Sequence, residues 1–176
     1  MKRGVNSMTK TIIRAPESGE EQEWLRRLWQ KEWGGAKMVS KGNVFHLHEL
    51  SALIAIQRGK PVGAVTFAIR ADAAEILSLN ALIPNCGVGG SLLRAVEQKV
   101  REQGGKRICL ITTNDNLNAL RFYQKRGYRM VALYPGAVDE ARKQKPSIPL
   151  VGNEGIPLHD EIELEKRLPG AEDSSL

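Results

Sequence analysis

Pro84-Asn85-Cys86-Gly87-Val88-Gly89-Gly90-Ser91 lies between a stretch that alternates like a strand, 75–82, and one that repeats like a helix, where Val88, Leu92, Val96 and Val100 recur every four residues. Glycines let a backbone approach a ligand closely. The unpaired N–H groups and the positive dipole end of the following helix make an anion site suited to a pyrophosphate. Two familiar phosphate loops are excluded: Leu92 stands where a dinucleotide fingerprint has its third glycine, and there is no Gly-Lys-Ser/Thr of a P-loop.

Working outward, 11–15 is a short β-branched strand stopped by Pro16, and Ser18 with Glu21 forms a capping box. Trp24, Leu25, Leu28, Trp29 and Trp33 then fall on one side of a helix ending at Gly34-Gly35. The tryptophans fit core anchors, and they also fit a substrate-pocket wall. Strands at 53–58, 62–69 and 75–82 make an antiparallel meander. The helix from Val88 stops at Gly104-Gly105, and 108–112, 117–125 and 128–133 read as strand, helix and strand. Residues 134–158, with Pro135, Pro146, Pro149 and Pro157, read as a long irregular connection. In 161–168, Glu161, Glu163 and Glu165 alternate with Ile162 and Leu164, the pattern of an edge strand that closes the sheet. The order predicts a mixed α/β domain with one parallel crossover, a single unit over 11–168 between flexible tails at 1–10 and 169–176.

Composition agrees with one globular domain: 176 residues, 41% apolar and 26% charged. No run is apolar for the ~18 residues of a membrane span and no signal core follows Met1, so a cytoplasmic protein without a membrane partner is expected. Cys86 and Cys109 form no CxxC pair. His46 and His48 would share one strand face, but without an evident third ligand no metal is expected. The net charge is +6, and residues 99–129 alone hold eight basic and two acidic side chains. That balance admits a nucleic-acid module or an anionic small ligand. The absence of interleaved basic and aromatic residues counts against nucleic acid.

The second motif is Asn116-Leu117-Asn118-Ala119-Leu120-Arg121-Phe122-Tyr123, followed by Gly127-Tyr128. Asn116 follows a strand and Tyr123 lies two helical turns further on. Together with Gly87-Val88-Gly89-Gly90-Ser91-Leu92-Leu93, this stretch resembles the GNAT superfamily of N-acetyltransferases over about residues 11–134. Pro84 departs from that pattern, standing where the family usually has Gln or Arg; this removes a side-chain contact and leaves the backbone cradle.

The resemblance implies a GNAT-like fold, a central mixed, mostly antiparallel sheet flanked by helices with a splayed strand pair at the acetyl-CoA site. It implies acetyl-CoA as cosubstrate and an amine acceptor attacking directly in a ternary complex. Tyr123 would be the general acid toward the CoA thiolate, and Asn116 would contact the pantetheine arm. Backbone groups of Leu79, Asn80 and Ala81 would hold the thioester region, and the amides of Asn85, Cys86, Gly87, Val88, Gly89, Gly90 and Ser91 would bind pyrophosphate. Lys99, Lys106, Arg107, Arg121, Lys125, Arg126 and Arg129 would supply an attracting field. For the base, Ala74-Glu75-Ile76 is similar to a stretch in the histone-acetyltransferase branch whose glutamate removes the proton. Strand alternation would put Glu75, Leu77 and Leu79 on one largely apolar face, raising the pKa of Glu75. A water relay is the alternative. An acyl-CoA-binding sensor without turnover also stays open, as does a homodimer.

Overall fold

The computed structural model describes residues 10–169, so the expected tails fall almost wholly outside the described residues. The chain runs β1 (Ile12–Arg14), α1 (Gly19–Trp33), β2 (Lys37–Ser40), β3 (Asn43–His46), β4 (Ser51–Gln57), β5 (Lys60–Arg70), β6 (Ala73–Ala81), α2 (Val88–Glu102), β7 (Arg107–Thr113), α3 (Leu117–Gln124), β8 (Arg129–Tyr134), α4 (Ala137–Gln144) and β9 (Glu161–Arg167). Seven strands form one sheet in the order β1-β4-β5-β6-β7-β9-β8, and β2 pairs with β3 in a separate hairpin. Only the β6–β7 pairing in the large sheet is parallel, because α2 carries the chain across. The mixed, mostly antiparallel α/β architecture is therefore as expected.

Local signals act where the sequence puts them. The Ser18 hydroxyl accepts from the Glu21 N–H while the Glu21 carboxylate accepts from the Ser18 N–H, and left-handed Gly34 ends α1. Trp29 on α1 is fully buried with Leu25, Leu28, Ile54, Ile56 and Ala64. Its Nε1 donates to Ser78 Oγ at 3.2 Å, and Ser78 shares a 2.6 Å hydrogen bond with Thr66. The opposite sheet face packs Val65, Phe67, Ile76, Ile108, Leu110 and Leu164 against Leu92, Leu93, Val96 and Val100 of α2.

Four expectations change. First, β9 lies between β7 and β8, so β8 is the edge. Glu161 and Glu163 of β9 meet the β2–β3 hairpin, where the Lys41 N–H donates to Glu161 and the Lys41 ammonium pairs with Glu163 at 3.0 Å. A charged row that reads as solvent-facing is thus covered by a cation from another element. Second, residues 134–158 contain α4. Arg142 on that helix donates to the carbonyls of Ile148, Pro149 and Leu158 at 2.9–3.0 Å and ties the proline-rich segment down. Third, β3 ends at His46, and His48 lies in a 3-10 turn rather than on the same strand. Fourth, the β5–β6 register shifts between Thr66 and Phe67: Thr66 pairs with Ser78 and Phe67 with Ile76, leaving Leu77 as a bulge. A bulge inverts the alternation beyond it. Ile76 and Leu79 therefore pack on the α2 side, whereas Glu75 bonds to the hairpin on the other.

No helix among the described residues is long and apolar enough to cross a membrane.

Gly63 on β5 sets how closely α2 approaches the sheet. A Cβ there would sit 2.7 Å from the Asn80 carbonyl oxygen and 2.8 Å from Val88 Cγ1. We expect G63A to destabilise the fold by about 1–3 kcal/mol, the usual range for overpacking. Urea unfolding measures this, and an unchanged midpoint would contradict the close approach.

Candidate active site

The loop after β6 enters α2 through two left-handed residues, Asn85 (φ 57°) and Gly87 (φ 74°). Gly87 is the N-cap and offers no side-chain acceptor. The N–H groups of Val88, Gly89 and Gly90 consequently have no protein acceptor among the described residues, whereas that of Ser91 already donates to Gly87 O at 3.0 Å. The expected amide cradle loses Ser91 for this reason. Asn85, Cys86 and Gly87 are exposed in the loop. A Cβ on Gly90 would meet the Arg126 guanidinium at 3.3 Å and Arg94 at 3.5 Å, and one on Gly89 would touch the Phe122 ring at 3.4 Å. Arg126 lies 3.7 Å above the Phe122 ring centroid and donates to Phe122 O at 2.9 Å, so its charge is fixed beside the start of α2.

The basic segment 99–129 divides in space. Lys99 lies in the last turn of α2, and Arg107 pairs with Glu165 at 3.2 Å where β7 begins. The 15 residues of α2 put that end about 22 Å from the glycine loop, beyond a Debye length of about 8–10 Å. Of the expected field, Arg126 is the member the structure brings against the loop, together with Arg94.

Next to the loop, β6 and β7 separate. Their pairing stops at Ile76–Leu110, although β6 continues to Ala81 and β7 to Thr113. Leu77 to Ala81 stay paired to β5 from Ser78 onward but present a second edge without a strand partner. Asn80, at the end of this edge, holds the single buried side-chain atom without a hydrogen-bond partner among the described residues, its Oδ1.

Asn116 caps α3, its Oδ1 accepting from Ala119 N–H at 3.1 Å. Its expected contact role is left to the Nδ2 group. Tyr123 is 7% exposed and packs in the same core as Val88, with the Phe122 and Tyr128 rings at 5.1 and 5.5 Å. Its hydroxyl has no protein hydrogen-bond partner among the described residues. Burial pushes its pKa up, keeping the phenol protonated.

On the hairpin side a cavity of about 690 Å³ reaches the parting strands at Ile76, Leu77, Ile111, Thr112 and Thr113. Asn116, Trp33, α4 and Glu161 also line it. Trp33 is thus a cavity wall, whereas Trp29 is core. Glu75 does not line the cavity; its Oε1 accepts from Ser40 Oγ at 2.8 Å. Glu161 does line it and is 5% exposed. Cys109, opposite Glu75 in the β6–β7 register, has its thiol pushed up to about 11 by burial. The His46 and His48 rings lie 5.6 Å apart, and no group of three metal-ligating side chains is gathered among the described residues.

The family model for GNAT acetyltransferases matches residues 10–128, the span that contains the glycine loop, both parting strands and Tyr123. The chain belongs to the GNAT acetyltransferase family. Two Bacillus subtilis (strain 168) relatives, the uncharacterized proteins YdhI and YxbD, are 40% and 45% identical. YdhI aligns over 88% of this chain and 98% of its own length, YxbD over 84% and 93%. The fold is shared with an IAA acetyltransferase from Bacillus cereus ATCC 14579 (TM-score 0.67, 18% identity, 90% of this chain and 100% of that one). It is also shared with a GNAT family acetyltransferase from Elizabethkingia anophelis with acetyl-CoA bound (TM-score 0.67, 19% identity, 90% and 98%).

Within this GNAT chain, Arg94, the Ser40-Lys41 hairpin and Glu161 belong to the site without having been expected from the sequence. Only Glu161 left a trace, as one member of the alternating glutamates.

All three tyrosines lie above their ordinary pKa: Tyr123 and Tyr128 through burial, Tyr134 through its hydrogen bond to Glu163. An unfolded phenol ionises near 10, so stability falls as pH rises above about 10, where the unfolded chain loses protons first. An absorbance titration should find no phenol with a midpoint at 10. A tyrosine ionising there in the folded protein would contradict this packing.

Proposed function

We propose that this GNAT protein moves an acetyl group from acetyl-CoA to the nitrogen of a primary amine by direct attack in a ternary complex. The observation that carries the reading is the parting of β6 and β7 beside the three acceptor-free amides that open α2. An extended ligand with an anionic group fits both: its amides can complete the open edge of β6 and its phosphates can take the N–H groups of Val88, Gly89 and Gly90. The residues suit acetyl-CoA in a further respect, since the orphaned Oδ1 of Asn80 can accept from an amide of the pantetheine arm. Bound acetyl-CoA supplies a thioester carbonyl for the amine to attack and a thiolate to leave.

Each step then falls to groups of this chain. Val88–Gly90 and the fixed Arg126 guanidinium hold the pyrophosphate, and β6 from Leu79 to Ala81 orients the arm. Asn116 Nδ2 is available to donate to it. Tyr123 keeps its proton at neutral pH and gives it to the departing sulfur. The acceptor enters from the opposite side, through the cavity that meets the same opening at Ile76–Leu77 and Ile111–Thr113.

Acetyl-CoA at about 100 times its Kd should stabilise the protein by about 2.7 kcal/mol, seen as a rise in Tm; no rise would contradict the reading. Tyr123→Phe should lower kcat for acetyl transfer by about 100-fold, the low end for a positioned general acid, with acetyl-CoA affinity retained. Full turnover in Y123F would remove Tyr123 from the mechanism.

A further inference from the structure

The larger part of the cavity surface is apolar, with Met38, Val39, Val138, Ile148, Pro149 and Leu158 among the residues that line it, and the lining carries four charged side chains: Glu32, Asp115, Lys145 and Glu161. The hydrogen bonds already made separate these four. Asp115 Oδ2 accepts from the backbone and side-chain amides of Asn153 at 2.8 and 2.7 Å, and its Oδ1 accepts from Thr113. Lys145 donates to the carbonyls of Trp33 and Lys37. Glu32 retains a third of its side-chain exposure and lies 3.7 Å from Lys31. Glu161 alone is a buried carboxylate with an open acceptor. Its Oε2 takes one long bond, 3.3 Å, from the Lys41 N–H, and its Oε1 has no donor among the described residues. Asn80 Oδ1 is the one fully buried side-chain atom left without a partner among those residues, so Glu161 Oε1 is not closed off by the protein, and Glu161 is among the residues that line the cavity.

We infer that Glu161 receives the ammonium group of the acceptor and takes its proton, and that the acceptor is a primary amine on an apolar body. This rests on the acetyl-transfer reading above. The protons and bonds balance: the ammonium gives one proton to Glu161, and its nitrogen then bonds to the acetyl carbon as the carbon–sulfur bond breaks. Tyr123 protonates the sulfur and recovers a proton from the same nitrogen. Glu161 returns its proton to water.

The charged groups around Glu161 come from every side. Lys41 approaches from the hairpin and Glu75 from β6, while Glu163, on the same strand, is held by Lys41 and the Tyr134 hydroxyl. Asp115, Lys145 and Glu32 line the same cavity. Burial, reinforced by the Glu75 charge and opposed by Lys41, lifts the pKa of Glu161 above its ordinary value. A carboxylate so shifted is a better proton acceptor near neutrality than an exposed one. Glu75, already accepting from Ser40 and away from the cavity lining, lacks that access.

The test is calorimetric titration of 2-phenylethylamine into the CoA-saturated protein. Wild type should bind the amine, and E161Q should bind it at least ~10-fold more weakly at unchanged CoA affinity, with E161D between them. The uncharged analogue 2-phenylethanol should bind wild type no better than the amine binds E161Q. Wild-type affinity should fall as pH is lowered through the raised Glu161 pKa, a dependence that E161Q loses and E75Q keeps. Equal amine affinity in wild type and E161Q, or no amine binding by a wild-type protein that binds CoA, overturns the inference and leaves the acetyl-transfer reading intact. Failure to bind CoA overturns both.

Discussion

The site depends on two strands that start together and then part. β6 and β7 are hydrogen-bonded for four residue pairs and separate after Ile76 and Leu110. Neither can swing back, because each is held on its far side: β6 by β5 as far as Gly63–Ala81, β7 by β9 as far as Thr113–Glu161. The bulge at Leu77 turns β6 where the separation begins. On the α1 side the turned segment is anchored by Ser78, bonded to Thr66 and Trp29. An unpaired strand edge inside a sheet leaves backbone groups that need partners. Providing that opening in a preformed state means that a ligand need not break a ladder to enter.

The rest of the machinery is arranged around this opening. Gly63 allows α2 to descend onto the sheet so that its first turn arrives next to the end of β6. Phe122 of α3 packs against Gly89 and fixes Arg126 beside Gly90, which places one immobile positive charge where the helix dipole is also positive. A whole-chain charge of +6 thus matters less than its position. Much of the basic segment sits at the far end of α2, and salt screens it from the loop. On the other face, the β2–β3 hairpin, α4 and the segment fastened by Arg142 enclose the cavity from which an acceptor would approach.

Local chemistry was readable from the chain. The capping box at Ser18 and Glu21, the glycine-rich entry to α2 and the Asn116-to-Tyr123 helix all act within a few residues, so sequence spacing reports them directly. Long-range pairing was not. The alternating glutamates of β9 look like the outer row of an edge strand, and it takes Lys41 from a distant hairpin to meet Glu161 and Glu163 and Arg107 to meet Glu165. The bulge moves Glu75 and Leu79 to opposite faces, and no residue type in 75–79 marks it. Proline density in 134–158 concealed α4, whose position is set by Arg142 reaching carbonyls up to 16 residues away. Glu161 is hidden for the same reason: what sets it apart from its neighbours is the cavity beside it, built by distant parts of the chain.

Amide NMR on addition of CoA tests the central claim most directly, since it reads the opening residue by residue. The largest shifts should fall at Val88, Gly89 and Gly90 and along Leu77–Ala81 of β6. Binding that left these amides unmoved and shifted others instead would contradict that claim.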